Sequence, residues 1–166
     1  MYLTYRMLKE AGAYKELANE FRTRYPQGLL LTTETCVAAI QKYPWDFNWM
    51  AEHLLPSNLL AEYESNRAPL LAEYESQHRP ILAEHEAKHV PLLVEYDSRV
   101  ALVLAEYDSR AIPRAEYEVK TAQLRAEYEV KTARLRAEYE VKTAPLWAEY
   151  ITKRAALFGS LAEQVN

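Results

Sequence analysis

The sequence predicts an all-α protein, in which a small N-terminal helical module precedes a long, proline-bent repeat helix or a helical hairpin of coiled-coil type. The first observation is an eleven-residue (hendecad) repeat, because eleven residues make three helical turns and keep one pattern on one face. The second is composition, since Ala, Leu, Glu, Lys and Arg dominate and no glycine occurs between Leu59 and Phe158. The third is charge spacing: an acid often precedes a base by four residues, as Glu84 precedes Lys88, which stabilises helices.

Residues 1–57 are the predicted N-terminal module, with three short helices. The first covers 13–25, because apolar side chains recur there at helical spacing before a turn sequence. Thr32 or Thr33 can cap the second helix, and Asp46 can cap the third. Short helices of this kind need a shared core to be stable.

Aromatic residues provide that core in the prediction. Trp45, Phe47 and Trp49 follow Tyr43-Pro44, which ends the second helix. Phe47 and Trp49 lie in the third helix, and all three rings are the predicted core of the module. A ligand-binding aromatic cage is the alternative interpretation. Ser57 then caps the long repeat helix.

Tyrosine and leucine form one broad apolar stripe along the repeat region, residues 58–158. At about 98° per residue, each tyrosine lies beside the leucine four residues before it, while Ala, Ser and Val lie on the far side. A single helix would leave this stripe in water, so self-association or folding back is implied. The predicted self-association surface consists of Leu59, Tyr63, Leu70, Tyr74, Ile81, Leu92, Tyr96, Tyr107, Tyr117, Leu124, Tyr128, Leu135, Tyr139, Leu146 and Tyr150.

Proline recurs in one slot of the repeat and leaves two geometries open. Each interior proline removes a backbone hydrogen bond and costs about 3 kcal/mol. Either one long helix bends at every proline, or each proline opens a new short helix at its first turn. The absence of loop residues between units favours the bent helix. The prolines concerned are Pro69, Pro80, Pro91 and Pro145, with Pro113 close to the same slot.

One irregular step predicts an interior break. Tyr107 and Tyr117 are ten residues apart instead of eleven, and Pro113 lies between them. The tyrosine stripe is therefore turned around the helix axis, and a hinge or hairpin is expected near 111–114. Residues 159–166 form a predicted C-terminal tail.

Charge and cysteine content narrow the classes of partner. The net charge of the 166 residues is −4 and acids alternate with bases, so no basic face is available for nucleic acid. Cys36 is the single cysteine, which favours an intracellular setting. No apolar stretch approaches membrane-spanning length. We expect a cytoplasmic protein without a cofactor, acting as a homo-oligomer or with one protein partner.

A histidine pair in the third unit matches a metalloprotease pattern. In His85-Glu86-Ala87-Lys88-His89, two histidines one turn apart could hold zinc while the glutamate activates water. Drift of the repeat explains the match better, because His85 occupies a tyrosine slot and His89 the slot of His78. The sequence therefore predicts no catalytic residue and no metal site, with His85 and His89 as the only metal candidates.

An aromatic-rich segment followed by tandem Ala-Glu-Tyr units with periodic proline resembles uncharacterised bacterial and bacteriophage proteins that carry Tyr- and Ala-rich eleven-residue arrays. The segment is Pro44-Trp45-Asp46-Phe47-Asn48-Trp49 to Leu54-Leu55-Pro56, and the resemblance covers 44 to about 156. It implies a helical repeat protein and transfers no catalytic or binding residue.

The repeat leads to three functional hypotheses. The first is a non-enzymatic structural or interaction protein that self-associates through the Leu/Tyr stripe. The second is a phage-encoded binding module or inhibitor of a host protein. The third is a zinc hydrolase at His85, Glu86 and His89.

Overall fold

The computed structural model describes residues 1–43 and 45–165, and it confirms the all-α class. Within these residues, helices account for most of the chain and two-residue strands pair once. The elements are β1 (Tyr2–Leu3), α1 (Tyr5–Glu10), α2 (Lys15–Arg24), β2 (Leu29–Leu30), α3 (Thr33–Ile40), α4 (Phe47–Leu54), α5 (Ser57–Asp108) and α6 (Arg114–Glu163).

Side-chain caps begin α3 and α4 where the sequence predicted them. Thr32 Oγ1 accepts the Thr35 N–H at 3.2 Å, while Thr35 Oγ1 accepts the Thr32 N–H at 2.8 Å, which is a capping box. Asp46 Oδ1 accepts the N–H groups of Asn48 and Trp49. The predicted role of Pro44 in ending α3 lies outside the described residues.

Helix α1 and the antiparallel pair β1–β2 were not predicted from the sequence. Thr4 caps α1 by accepting the Met7 N–H, and Tyr2 and Leu3 pair with Leu30 and Leu29. Both elements are too short for periodicity to reveal them. Gly28 precedes β2 at φ +87°, where a side chain would meet the Leu3 carbonyl at 2.7 Å, so only glycine fits this turn.

The chain divides into two compact units. The head unit consists of Met1–Tyr74 with Trp147–Asn166, and the hairpin unit consists of Glu75–Leu146. The two long helices each contribute to both units. The predicted module of 1–57 is thus joined in the head unit by the beginning of α5 and the end of α6.

The core of the head unit combines residues from both ends of the chain. Leu3, Leu31 and Phe47 are fully buried, and so are Phe158 and Leu161 from the last turns of α6. The helix continues through the region predicted as a tail and ends at Glu163. Burial of apolar side chains in these turns explains why they stay helical.

Proline does not interrupt either long helix. Pro69, Pro80 and Pro91 lie inside α5 and Pro145 lies inside α6, so the alternative of stacked short helices does not describe this structure. All four prolines are exposed, and water can therefore satisfy the carbonyl that each one leaves without a partner. A bend at each proline stays a prediction.

The turn between α5 and α6 contains Pro113 and lies at the break that the ten-residue step indicated. The Ala111 N–H donates to the Glu106 carbonyl and the Arg110 N–H to the Tyr107 carbonyl, both at 2.9 Å. Arg110 has φ +60°, in the left-handed region. These features form a Schellman motif, which ends α5 and satisfies its last carbonyls.

Candidate interaction surface

The tyrosines face each other across the two long helices of the same chain. In the hairpin unit, ring centroids lie 4.9 Å apart for Tyr107 and Tyr117 and 4.8 Å apart for Tyr96 and Tyr128. His85 fills the third position, with its ring 4.8 Å from that of Tyr139. Each ring pair is one rung of an antiparallel ladder, which explains how a tyrosine slot tolerates histidine.

Ring contacts also join α5 and α6 within the head unit. Tyr74 stacks on Tyr150 with centroids 5.2 Å apart, and Tyr63 meets Phe158 edge to face at 6.5 Å. Glu73 accepts from the Lys153 ammonium at 2.9 Å beside these rings. The pairing joins the first turns of α5 to the last turns of α6.

The structure therefore covers most of the predicted stripe by folding back. The buried members are Leu59, Tyr63, Leu124, Leu135 and Tyr150; the half-buried members are Leu70, Tyr74, Ile81, Leu92, Tyr96, Tyr117, Tyr128, Tyr139 and Leu146; Tyr107 is exposed at the turn. Folding back was one of the two solutions that the sequence left open. Use of this stripe between chains stays a prediction.

Ion pairs close one edge of the hairpin unit, which we call the ionic edge. Three glutamates of α5 pair with three lysines of α6 at 2.6–3.1 Å, and Arg99 pairs with Glu127 at 2.7 Å. Several pairs within helices, such as Glu84–Lys88, were predicted from the sequence, whereas these pairs between helices were not. The eleven-residue spacing of both charged rows was the available signal. The glutamate–lysine pairs are Glu84–Lys142, Glu95–Lys131 and Glu106–Lys120.

Acid is expected to weaken the ionic edge through Glu84. Hydrogen bonds from Lys142 and Lys88 hold the pKa of the Glu84 carboxyl at about 2, below its ordinary 4.5. A folded-state pKa that is lowered stabilises the fold above the unfolded pKa and loses this contribution as pH falls. The stability of wild-type protein should therefore drop between pH 4.5 and about 2 more steeply than that of Glu84→Gln. Urea unfolding at a series of pH values measures the difference.

Glu86→Gln is the matched control for this experiment. Glu86 is exposed, two residues from Glu84, and makes no ion pair within the described chain. This variant should keep the wild-type pH dependence at low protein concentration. Parallel profiles for wild-type protein and Glu84→Gln would contradict the role assigned to Glu84.

The opposite edge of the hairpin unit has no such closure, and we call it the open edge. On α5 it carries a leucine row, whose side chains are 37–42% exposed, and an acidic row; on α6 it carries an arginine row. Among the described residues, each arginine forms an ion pair only with the glutamate four residues later on its own helix. The leucine row is Leu82, Leu93 and Leu104, the acidic row is Glu86, Asp97 and Asp108, and the arginine row is Arg114, Arg125 and Arg136.

Helical geometry places the two edges on opposite sides. In a helix with three turns per eleven residues, positions three and ten after a tyrosine flank it on one side, and positions one and eight flank it on the other. Lys131 and Glu95 occupy the first pair of positions, whereas Asp97 and Arg125 occupy the second. The hairpin unit thus has ion pairs between its helices along the ionic edge and exposed leucines along the open edge.

A valine row faces outward on α6. Val119, Val130 and Val141 are spaced by eleven residues and are 55–76% exposed. Single exposed apolar residues are ordinary on protein surfaces, and what the repeat adds here is their regular spacing. The repeat therefore presents the same apolar groups several times over.

The histidine pair lies in a shallow groove of the hairpin unit. The rings of His85 and His89 are nearly parallel, with centroids 5.9 Å apart, and His89 Nε2 lies 3.4 Å from the Tyr128 hydroxyl. His78 Nε2 lies 2.7 Å from the Tyr139 hydroxyl. Across 1–43 and 45–165, no three His, Cys, Asp or Glu side chains are grouped so that they could hold a metal ion.

The head unit contains an apolar cavity of about 180 Å³. Phe47 is buried as the sequence predicted, whereas Trp45 and Trp49 are half-buried and line the cavity beside Phe21. At its rim, the Arg24 guanidinium lies 4.0 Å above the Tyr43 ring and pairs with Glu20. Trp45 and Trp49 therefore pack against the core and also border the cavity, and the use of this cavity as a ligand-binding cage stays a prediction.

Comparison with known proteins gives no relative from which a function could be transferred. No protein-family model, curated protein or solved structure matches the chain significantly. In the described part of the chain, no helix combines the length and the apolar character needed to cross a membrane.

Proposed function

We propose that this protein is a non-enzymatic structural and interaction protein whose hairpin unit binds further copies of the same chain. The observation that carries the proposal is the presence of apolar rows that stay exposed after the tyrosine ladder is covered. The leucine row of α5 and the valine row of α6 both repeat every eleven residues. A surface made of equivalent units suits assembly better than it suits a single precise site.

Energetics indicate that several repeats must act together. Fully burying a leucine or valine contributes about 1.5–3 kcal/mol, so covering the exposed part of one leucine contributes on the order of 1 kcal/mol. Forming a complex costs about 4–15 kcal/mol in lost translational and rotational freedom. The burial of one leucine cannot offset this cost. The affinity of self-association should therefore rise with the number of repeats.

Sedimentation velocity over a wide range of protein concentration tests the proposal. We expect the mass of wild-type protein to increase with concentration. A variant lacking 86–96 and 128–138 loses one unit from each helix and keeps the ladder in register. It should remain helical by circular dichroism and should associate more weakly. A wild-type protein that stays monomeric at every concentration would refute the proposal.

The cavity of the head unit favours a second candidate function, the binding of one protein partner. Tyr14 is 79% exposed and Leu17 is about half exposed, and both line this cavity with Trp45 and Trp49. Exposed aromatic and apolar side chains at a concave site are typical of a protein-binding surface. Leu17→Asp would abolish capture of such a partner from bacterial lysate and would leave self-association unchanged.

A further inference from the structure

The open edge carries two rows of opposite charge that do not pair with each other. Glu86, Asp97 and Asp108 are exposed, and none of them makes an ion pair with any described residue. Within the described residues, the ion pairs of the arginine row of α6 are exposed and lie in its own helix, and such pairs contribute little to stability. Arginine at these positions can therefore take a second carboxylate without losing a strong contact.

The acidic row of α5 and the arginine row of α6 lie at nearly the same positions along the helix axes of the hairpin unit. The rung of Tyr96 and Tyr128 defines one level, and the chain runs in opposite directions on its two sides. Asp97 follows Tyr96 by one residue and Arg125 precedes Tyr128 by three, so both are displaced toward the turn. At 1.5 Å per residue, their levels differ by about 3 Å.

The same offset recurs at the two neighbouring rungs. Asp108 and Arg114 flank the rung of Tyr107 and Tyr117, and Glu86 and Arg136 flank the rung of His85 and Tyr139. On its turn side, each rung therefore has one acid of α5 without an ion pair among the described residues and one arginine of α6. A leucine of α5 that is 37–42% exposed lies three residues to the other side of the rung. An occupant that repeats every eleven residues and carries the complementary charges would match all three levels.

We infer that this occupant is a second copy of the chain, docked on the open edge and related by a two-fold axis parallel to the helices. This rotation preserves the level of every residue and places α5 of each copy antiparallel on α6 of the other. Asp97 of one copy then faces Arg125 of its partner, and the leucine rows of both copies are covered. The other two-fold arrangement puts α5 on α5, where the acidic rows repel each other.

The hairpin units of the two copies then form an antiparallel four-helix bundle. Bundles of this kind have short turns between neighbouring helices and bury their apolar rows between the helices. Arg125 bridges Glu129 of its own helix and Asp97 of the partner. The aliphatic part of each arginine lies on the leucine row while its guanidinium stays at the rim. This inference rests on the proposed function, since it names the surface and the register of the self-association.

Two charge reversals test the register directly. Asp97→Arg places arginine against Arg125 at both equivalent contacts of the dimer, and Arg125→Asp places aspartate against Asp97 at both. We expect each variant alone to associate about ten-fold more weakly than wild-type protein. An equimolar mixture of the two variants pairs arginine with aspartate at both contacts and should recover most of the wild-type association in sedimentation velocity.

The mixture also controls for folding, because two misfolded chains would not restore each other. Arg134→Asp reverses an exposed charge on the outer face of α6 and should associate like wild-type protein. Two variants that associate like wild-type protein, or a mixture no tighter than either variant alone, would overturn this interface and leave the proposed self-association standing. A wild-type protein that never associates would overturn both.

Discussion

Replacing Phe158 with alanine is expected to lower the free energy of unfolding of the head unit by about 3–5 kcal/mol. Phe158 is 0% exposed, and its ring lies 5.3 Å from that of Phe47 and 6.5 Å from that of Tyr63. The side chain therefore connects α4, the start of α5 and the end of α6. Its removal leaves a cavity at the point where three helices meet.

Urea unfolding followed by tryptophan fluorescence measures this effect. Trp45, Trp49 and Trp147 are the three tryptophans of the chain and all belong to the head unit, so the signal reports this unit. Tyr14→Ala removes an aromatic ring that is 79% exposed and should change the free energy of unfolding by less than about 0.5 kcal/mol. A similarly small loss for Phe158→Ala would mean that the end of α6 does not belong to the core.

Gly159→Ala is expected to destabilise the head unit, although alanine normally stabilises a helix. A β-carbon at Gly159 would lie 2.6 Å from the Thr32 carbonyl oxygen and 2.7 Å from the Thr33 amide nitrogen. These are backbone atoms at the beginning of α3, where the capping box holds them in place. Overpacking of this kind costs about 1–3 kcal/mol and outweighs the gain of about 0.4–1 kcal/mol from reduced chain entropy.

The sign of the change makes this experiment informative. Thermal unfolding of Gly159→Ala should give a lower midpoint than that of wild-type protein. Ser160→Ala is the adjacent control, because Ser160 is exposed and its hydroxyl donates a local hydrogen bond to the Leu157 carbonyl of the same helix. A midpoint raised by Gly159→Ala would show that α6 does not approach α3 this closely.

Local chemistry made part of the fold predictable. Caps at Thr32 and Asp46 depend on residues three positions apart or fewer, and the sequence displays them directly. The break near Pro113 was also visible, because a ten-residue step cannot continue an eleven-residue pattern without turning the stripe. In each case the cause and the effect lie within one or two helical turns.

Contacts between distant segments could not be predicted in the same way. The pairing of Lys131 with Glu95 instead of Glu127 depends on the direction and register of a second helix. The approach of Gly159 to Thr32 joins positions at opposite ends of the chain. The candidate surface was affected most, because the Leu/Tyr stripe shows which residues of the repeat are apolar but does not show whether they pack within one chain or against another molecule.

The ladder also has a consequence for how the chain folds. Rungs next to the turn join residues that are close in sequence, such as Tyr107 and Tyr117, so they form at a small entropic cost. The units of α6 are nearly identical. Pairing of α5 with α6 that starts away from the turn can therefore be one unit out of register and still match most rings and charges. Such slipped hairpins are kinetic traps. Contacts that do not repeat, among them the contact of Phe158 with Phe47, distinguish the native register from a slipped register.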